Sequence, residues 1–103
     1  MRQFDVDEAP SETSRRIAPY VVVVQSHFLD DLPTVLIAPL LRRQERPAYG
    51  EVSVIVDFAE EELLLSLAEL VAVDRGSLRR RRGDVRDHED AIRRALERVF
   101  TGF

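Results

Sequence analysis

The residues able to do chemistry in this chain are few and badly spaced for it. The histidines are His27 and His88, far apart in sequence. His27 lies between Ser26 and Phe28 in a stretch that reads as a loop. Adjacent Ser and His do not make a nucleophile–base pair, because the two side chains must face each other. His88 stands among Asp87, Glu89 and Asp90 at the start of a helical pattern and reads as solvated. Glu60-Glu61-Glu62 gathers carboxylates, but consecutive side chains diverge on a strand or a helix, so the cluster reads as a charged turn. Arg79-Arg80-Arg81-Arg82 suits RNA, DNA, an acidic protein or simply water, while Arg15-Arg16 and Arg42-Arg43 read as loop charges. Gly-rich phosphate loops, GxSxG, HExxH and CxxC do not occur. The absence of cysteine excludes disulfides and thiolate metal ligands. Neither a catalytic centre nor a metal or other cofactor is expected.

The 103 residues suffice for one domain, 1–103, with one core. The hydrophobic fraction of 45% is ordinary for a globular protein. No apolar run approaches a bilayer span, and the opening MRQFDVDE is too acidic for a signal peptide, so a cytoplasmic protein is expected, not a membrane one. All fifteen basic residues are Arg, and Asn is absent as well. Both absences suit a GC-rich bacterial genome. Net charge is −4, but unevenly spread: residues 1–74 carry −8 and residues 75–103 carry +4. An acidic chain is a poor general nucleic-acid binder, whereas a local basic zone suits an acidic protein segment.

The elements that must position these residues are mostly strands. Arg2 to Val6 reads as a short strand and Asp7 to Arg16 as a polar loop. Ile17 to Gln25 contains Val21-Val22-Val23-Val24, a β-branched run that favours strand and suggests burial on both faces, or an interface on one. Thr34 to Leu41 reads as a strand whose Pro39 argues for an edge or a bulge. Glu51 to Phe58 alternates as a strand does, except at Ile55. Ala59 to Val73 is rich in helix formers, yet Leu63 to Leu65 and Leu67 also suit a buried strand. Asp74 to Gly83 reads as a basic loop. In the C-terminal stretch, Ile92, Ala95, Leu96, Val99, Phe100 and Phe103 form one helical stripe, with Asp84 or Asp87 as N-cap. Four or five strands and a terminal helix predict a small mainly-β barrel or α+β domain.

The pattern resembles the CcdB family of toxins. The resemblance rests on Gln3-Phe4, on Val24-Gln25-Ser26 followed by Phe28-Leu29-Asp30, on Ile37-Ala38-Pro39-Leu40, and on the ending Phe100-x-Gly102-Phe103. It implies an SH3-like β-barrel of the CcdB/MazF type with a C-terminal helix, assembled as a homodimer. It implies action by binding, without catalysis: the family's toxins bind the A subunit of DNA gyrase and trap its cleaved complex with DNA. A CcdA-like antitoxin neutralises them. The family also has strand where Glu62 to Leu67 falls here, against local propensity.

Carried over residue by residue, the resemblance places Gln3, Phe4, Ser26, Phe28, Leu29, Glu97, Thr101, Gly102 and Phe103 on the gyrase-binding surface. The family's terminal tripeptide is typically Trp-Gly-Ile. Here Thr101 stands in place of the Trp, the aromatic that anchors the interface, and Glu97 in place of a neutral amide. Three readings follow: a gyrase-directed toxin whose anchor has moved to Phe103 or Phe100; a protein of this fold that keeps its antitoxin but has lost or changed the gyrase target; or a MazF-like endoribonuclease, for which His27 and Arg42–Arg46 are the only candidates. The antitoxin's acidic residues are expected to meet Arg75, Arg79, Arg80, Arg81 and Arg82. Val99 and Phe103 are expected nearest the dimer dyad.

Overall fold

A computed structural model describes residues 2–11, 15–26, 31–43 and 52–101. Strands β1 (Asp5–Glu8), β2 (Tyr20–Val23), β3 (Thr34–Arg42), β4 (Ser53–Phe58), β5 (Glu61–Ser66), β6 (Val71–Asp74) and β7 (Arg81–Asp84) precede helix α1 (Glu89–Thr101). The seven strands form one sheet, ordered β4-β5-β3-β2-β1-β7, with β6 also paired to β3. Every pairing is antiparallel. The result is a mainly-β half-barrel with the C-terminal helix packed on its main core.

The valine run explains the middle of the sheet. Val22 and Val24 face the main core with Phe4, Val6, Leu40 and Ile92. Val21 and Val23 face a second cluster with Ala9, Val35 and Ile37, against which Val73 and Leu78 pack. The run is therefore buried on both faces by its own chain. Each such valine contributes about 1.5–3 kcal/mol relative to an exposed one.

Leu63, Leu64 and Leu65 are fully buried on β5, which lies between β3 and β4. A helix would turn part of this run to water. An interior strand buries all three, so tertiary burial overrides helix propensity. Residues 62–66 are extended as the resemblance implied, and Leu67 begins a 3-10 turn to Glu69. The hairpin before β5 turns at Ala59 and Glu60, with φ of 52° and 62°.

Several boundaries differ from the sequence reading. The first strand begins at Asp5, because Arg2–Asp5 is a turn: the Asp5 N–H donates to the Arg2 carbonyl at 3.1 Å, and Phe4 has φ of 71°. Pro39 is not on an edge strand, since β3 is interior. It pairs with Val21 on one side and occupies the gap on the other, where the neighbour changes from β6 at Ile37 to β5 at Leu40. A residue without an N–H is tolerated at such a gap. Residues 74–83, read as a loop, hold the end of β6 and the start of β7. Backbone pairing with β3 and β1 draws this charged segment into the sheet.

Helix α1 starts at Glu89, after a 3-10 turn at Arg86–His88. Neither candidate cap takes the N-cap position, which Val85 occupies before the 3-10 turn; Asp84, one residue earlier, accepts the Arg86 N–H on Oδ1 at 3.1 Å. Ile92 and Ala95 are buried, while Leu96 and Val99 pack partly against the core. Phe100, on the flank of the stripe, stays exposed.

Candidate functional site

The N-terminal turn brings the first group of candidate residues together. Phe4 is buried; its N–H donates to the Val23 carbonyl at 2.6 Å, and its carbonyl accepts from the Val85 N–H at 3.0 Å. Gln3 Nε2 donates to the Val24 carbonyl at 3.1 Å, two residues before half-buried Ser26. Gln25 Oε1 in the same segment accepts the Leu36 N–H at 3.2 Å. The turn is thus tied to the end of β2, and Gln3, Phe4 and Ser26 share one region. The Arg93 guanidinium of α1 covers the Phe4 ring, 5.5 Å from its centroid, a cation–π arrangement. An open cleft of about 370 Å³ lies between turn and helix, lined by Arg2, Gln3, Phe4, Arg86 and Glu89.

From Arg93 the helix carries this surface on. Phe100 lies seven residues beyond, about 20° round the axis, so it shares the flank of Arg93. It is 68% exposed. Glu97 and Thr101 are also exposed, and the Thr101 hydroxyl donates back to the Glu97 carbonyl at 2.5 Å. His27, Phe28, Leu29, Gly102 and Phe103 lie outside the described residues, as do Arg46 and most of the stretch before Val52.

Beneath the turn is a charge network that pattern-reading missed. The Asp5 carboxylate is 3% exposed and takes Arg86 Nη2 at 3.1 Å, Arg81 Nε at 3.2 Å and the Arg2 N–H at 2.8 Å. Burial alone would raise its pKa, but the Arg2 N–H and the Arg86 and Arg81 guanidiniums together outweigh burial and hold it below the usual carboxylate value. Asp7, also buried, goes the other way: burial raises its pKa, the Asp5 charge adds to the rise, and Arg81 opposes it only partly. The available signal was Asp5 and Asp7 two residues apart on a strand, hence on one face, beside a valine-rich neighbour.

The arginine run is divided by the strand it forms. Arg81 turns to Asp5 and, at 3.5 Å, to Asp84. Arg80 and Arg82 approach Glu8 instead, at 3.8 and 3.9 Å, where Arg15 stands at 3.4 Å. Arg79 Nε donates to the Gly76 carbonyl at 3.1 Å. A cleft of about 340 Å³ opens here, lined by residues that include Glu8, Arg15, Ser77, Arg79 and Arg80. Arg75 stands apart: its guanidinium donates to the Leu32 and Thr34 carbonyls at 3.0 and 3.4 Å, bracing the start of β3. So Arg79 and Arg80 share a basic cleft with Arg15, Arg82 reaches the Glu8 carboxylate beside it, and Arg75 and Arg81 brace the fold.

Among the described residues, no group of three or more His, Asp or Glu is placed to hold a metal ion. None of their helices is long and apolar enough to cross a membrane. His88 is half-buried in the 3-10 turn, its N–H on the Val85 carbonyl at 2.9 Å.

A family model described as CcdB protein matches residues 3–102. Curated proteins gave no match to the sequence. Among solved structures, the chain is similar to the Mycobacterium tuberculosis toxin MazF-mt6, at 19% identity and a TM-score of 0.67, over 82% of this chain and 92% of that one. At that identity the likeness concerns the fold.

Proposed function

Since the chain belongs to the CcdB family of toxin–antitoxin toxins, we propose that it binds the A subunit of DNA gyrase, traps the enzyme's cleaved complex with DNA, and is neutralised by a CcdA-like antitoxin. It works as a homodimer in the cytoplasm, with residues 1–103 as one unit and Val99 and Phe103 nearest the dyad. Its action is grip without bond-making. The gyrase-binding surface comprises Gln3, Phe4, Ser26, Phe28, Leu29, Glu97, Thr101, Gly102 and Phe103.

The observation that supports this reading is the exposure of Phe100. The family's anchoring Trp is Thr101 here, so a working toxin needs another aromatic close by. Phe100 is adjacent in sequence, 68% exposed, and on the flank of α1 whose Arg93 covers Phe4. An exposed aromatic beside a polar rim is the usual form of an interface anchor. Phe100 therefore takes over the anchoring role, next to the supporting residues of the N-terminal turn.

The second reading, antitoxin binding with gyrase lost or exchanged, draws on Thr101 and Glu97. The Thr101 hydroxyl is turned back to its own helix, and Glu97 adds a negative charge to the patch. Expression in a gyrase-sensitive bacterium separates the readings. Growth arrest with gyrase-dependent DNA breaks, abolished by Phe100→Ala, is the expected result. No arrest favours the second reading, and arrest with RNA cleavage favours an endoribonuclease.

The antitoxin's acidic segment lies along the basic cleft of Arg15, Arg79 and Arg80 and reaches Arg82 beside it. Unlike Arg81, whose guanidinium is bound to buried Asp5, Arg80 and Arg82 make only long contacts with Glu8. Exposed pairs at such distances are weak, so a partner carboxylate competes for these guanidiniums at little loss.

A further inference from the structure

We propose that Asp5 and Arg86 are positioning residues for the partner-facing surface: they latch the N-terminal turn to the 3-10 turn that precedes α1 and hold Phe4 beneath Arg93. The inference rests on the reading that Gln3 and Phe4 belong to the gyrase-binding surface, but its first half is testable without gyrase.

Phe4 is what needs holding. Its φ of 71° lies in the left-handed region, which a bulky side chain rarely adopts. Such a conformation persists only where surrounding contacts fix it from several sides. The Phe4 amide and carbonyl are fixed by Val23 and Val85. The residues on either side of it are fixed by one guanidinium. Arg86 Nη2 donates to the Gln3 carbonyl at 3.0 Å and to Asp5 Oδ1 at 3.1 Å. Its Nη1 pairs with Asp84 Oδ2 at 3.0 Å, and Asp84 Oδ1 accepts the Arg86 N–H at 3.1 Å. Asp5 Oδ2 closes the turn from within by accepting the Arg2 N–H at 2.8 Å.

The latch joins residues more than 80 positions apart, and it does so beside the cleft lined by Arg2, Gln3, Phe4, Arg86 and Glu89. With its carbonyl held by Arg86 and its amide side chain by Val24, Gln3 is fixed at both ends. Asp5 is nearly inaccessible, so it does not itself meet a partner. Its part is to fix the orientation of Arg86, while the Arg81 guanidinium and the Arg2 N–H keep the buried carboxylate partnered. The planar fork of Arg86 reaches Gln3, Asp5 and Asp84 together, which a lysine ammonium cannot reproduce.

The test compares the full-length native chain with Asp5→Asn and with the milder Arg86→Lys. Amide hydrogen exchange is followed at Phe4 and at Leu64 and Leu65, and affinity is measured for the purified gyrase A subunit. Exchange at Phe4 is expected to accelerate about tenfold more than exchange at the two leucines, as local opening requires. Gyrase affinity is expected to weaken about tenfold, with Arg86→Lys showing both effects while its melting temperature stays close to native. Phe4 exchange that changes only in step with the leucines overturns the proposal. So does accelerated Phe4 exchange with gyrase affinity unchanged. If the native chain itself does not bind gyrase, the functional reading fails separately, and the exchange comparison alone decides whether Asp5 and Arg86 hold the turn.

Discussion

Asp5 and Asp7 stand two residues apart on one face of β1, both buried, and their carboxyls are driven in opposite directions. The difference lies in their partners. Asp5 has the Arg2 N–H and two guanidiniums, whereas at Asp7 burial dominates and the charge of Asp5 adds to it.

The two carboxyls therefore have opposite effects on stability as pH changes. Asp5 has a folded pKa below its unfolded value, so its contribution is present above the unfolded value and is lost as pH falls through the folded one. Asp7 has a folded pKa above its unfolded value, so its charged form opposes folding at neutral pH and its neutral form does not. Asp7→Asn is expected to raise the melting temperature at neutral pH, with the gain shrinking as the solution is acidified toward about pH 4, the ordinary Asp value. Asp5→Asn is expected to lower stability by about 2–3 kcal/mol at neutral pH. Thermal melts across this pH range check both signs.

Ala59 and Glu60 form a two-residue hairpin loop with both φ values positive, the geometry of a type I′ turn. Neither residue type favours that region. Replacing the pair by Asn-Gly is expected to stabilise the protein by about 1 kcal/mol, read as a higher urea midpoint at unchanged slope.

Gly83 allows β7 to pass close to Phe58. A Cβ there would lie 3.0 Å from Phe58 Cε1, and φ is 151°. The Phe58 ring is backed edge-on by Tyr20, with centroids 5.1 Å apart, and so yields little. Gly83→Ala is expected to lose about 2 kcal/mol in denaturant unfolding. Adding Phe58→Leu to that variant is expected to recover part of the loss.

The divided arginine run predicts divided consequences. Arg80→Glu with Arg82→Glu is expected to weaken antitoxin binding at least about tenfold while changing stability by under about 1 kcal/mol. Arg81→Glu is expected to destabilise the fold by about 3 kcal/mol, because it sets an acid against buried Asp5. Calorimetric titration beside thermal melts separates the two effects.

Much of the fold was legible in the residues. The β-branched valine run favours strand by its residue type, and the alternation of Val54 and Val56 and the stripe of α1 each carry the period of the element they form. Glu61–Ser66 was legible only through family resemblance, because its local preference is helical and its extended form depends on β3 and β4 lying on both sides. Of residues 74–83, 75–80 connect two strands as the loop reading had it, while Asp74 and Arg81–Gly83 belong to β6 and β7, because charge hides strand character where backbone pairing does the ordering. Of the candidate site residues, Gln3, Phe4 and Ser26 came through the resemblance, and the structure places them in one region. The Asp5–Arg86 contact joins chain ends that no local pattern connects, and the exposure of Phe100 depends on how α1 sits on the core.

Gyrase poisoning is tested most directly by incubating the purified protein with gyrase, ATP and supercoiled plasmid, then counting double-strand breaks after denaturing the enzyme. Linear plasmid is expected with the native chain, far less with Phe100→Ala, and none when gyrase is omitted. Plasmid left intact at saturating native protein, with its fold verified by circular dichroism, would contradict it.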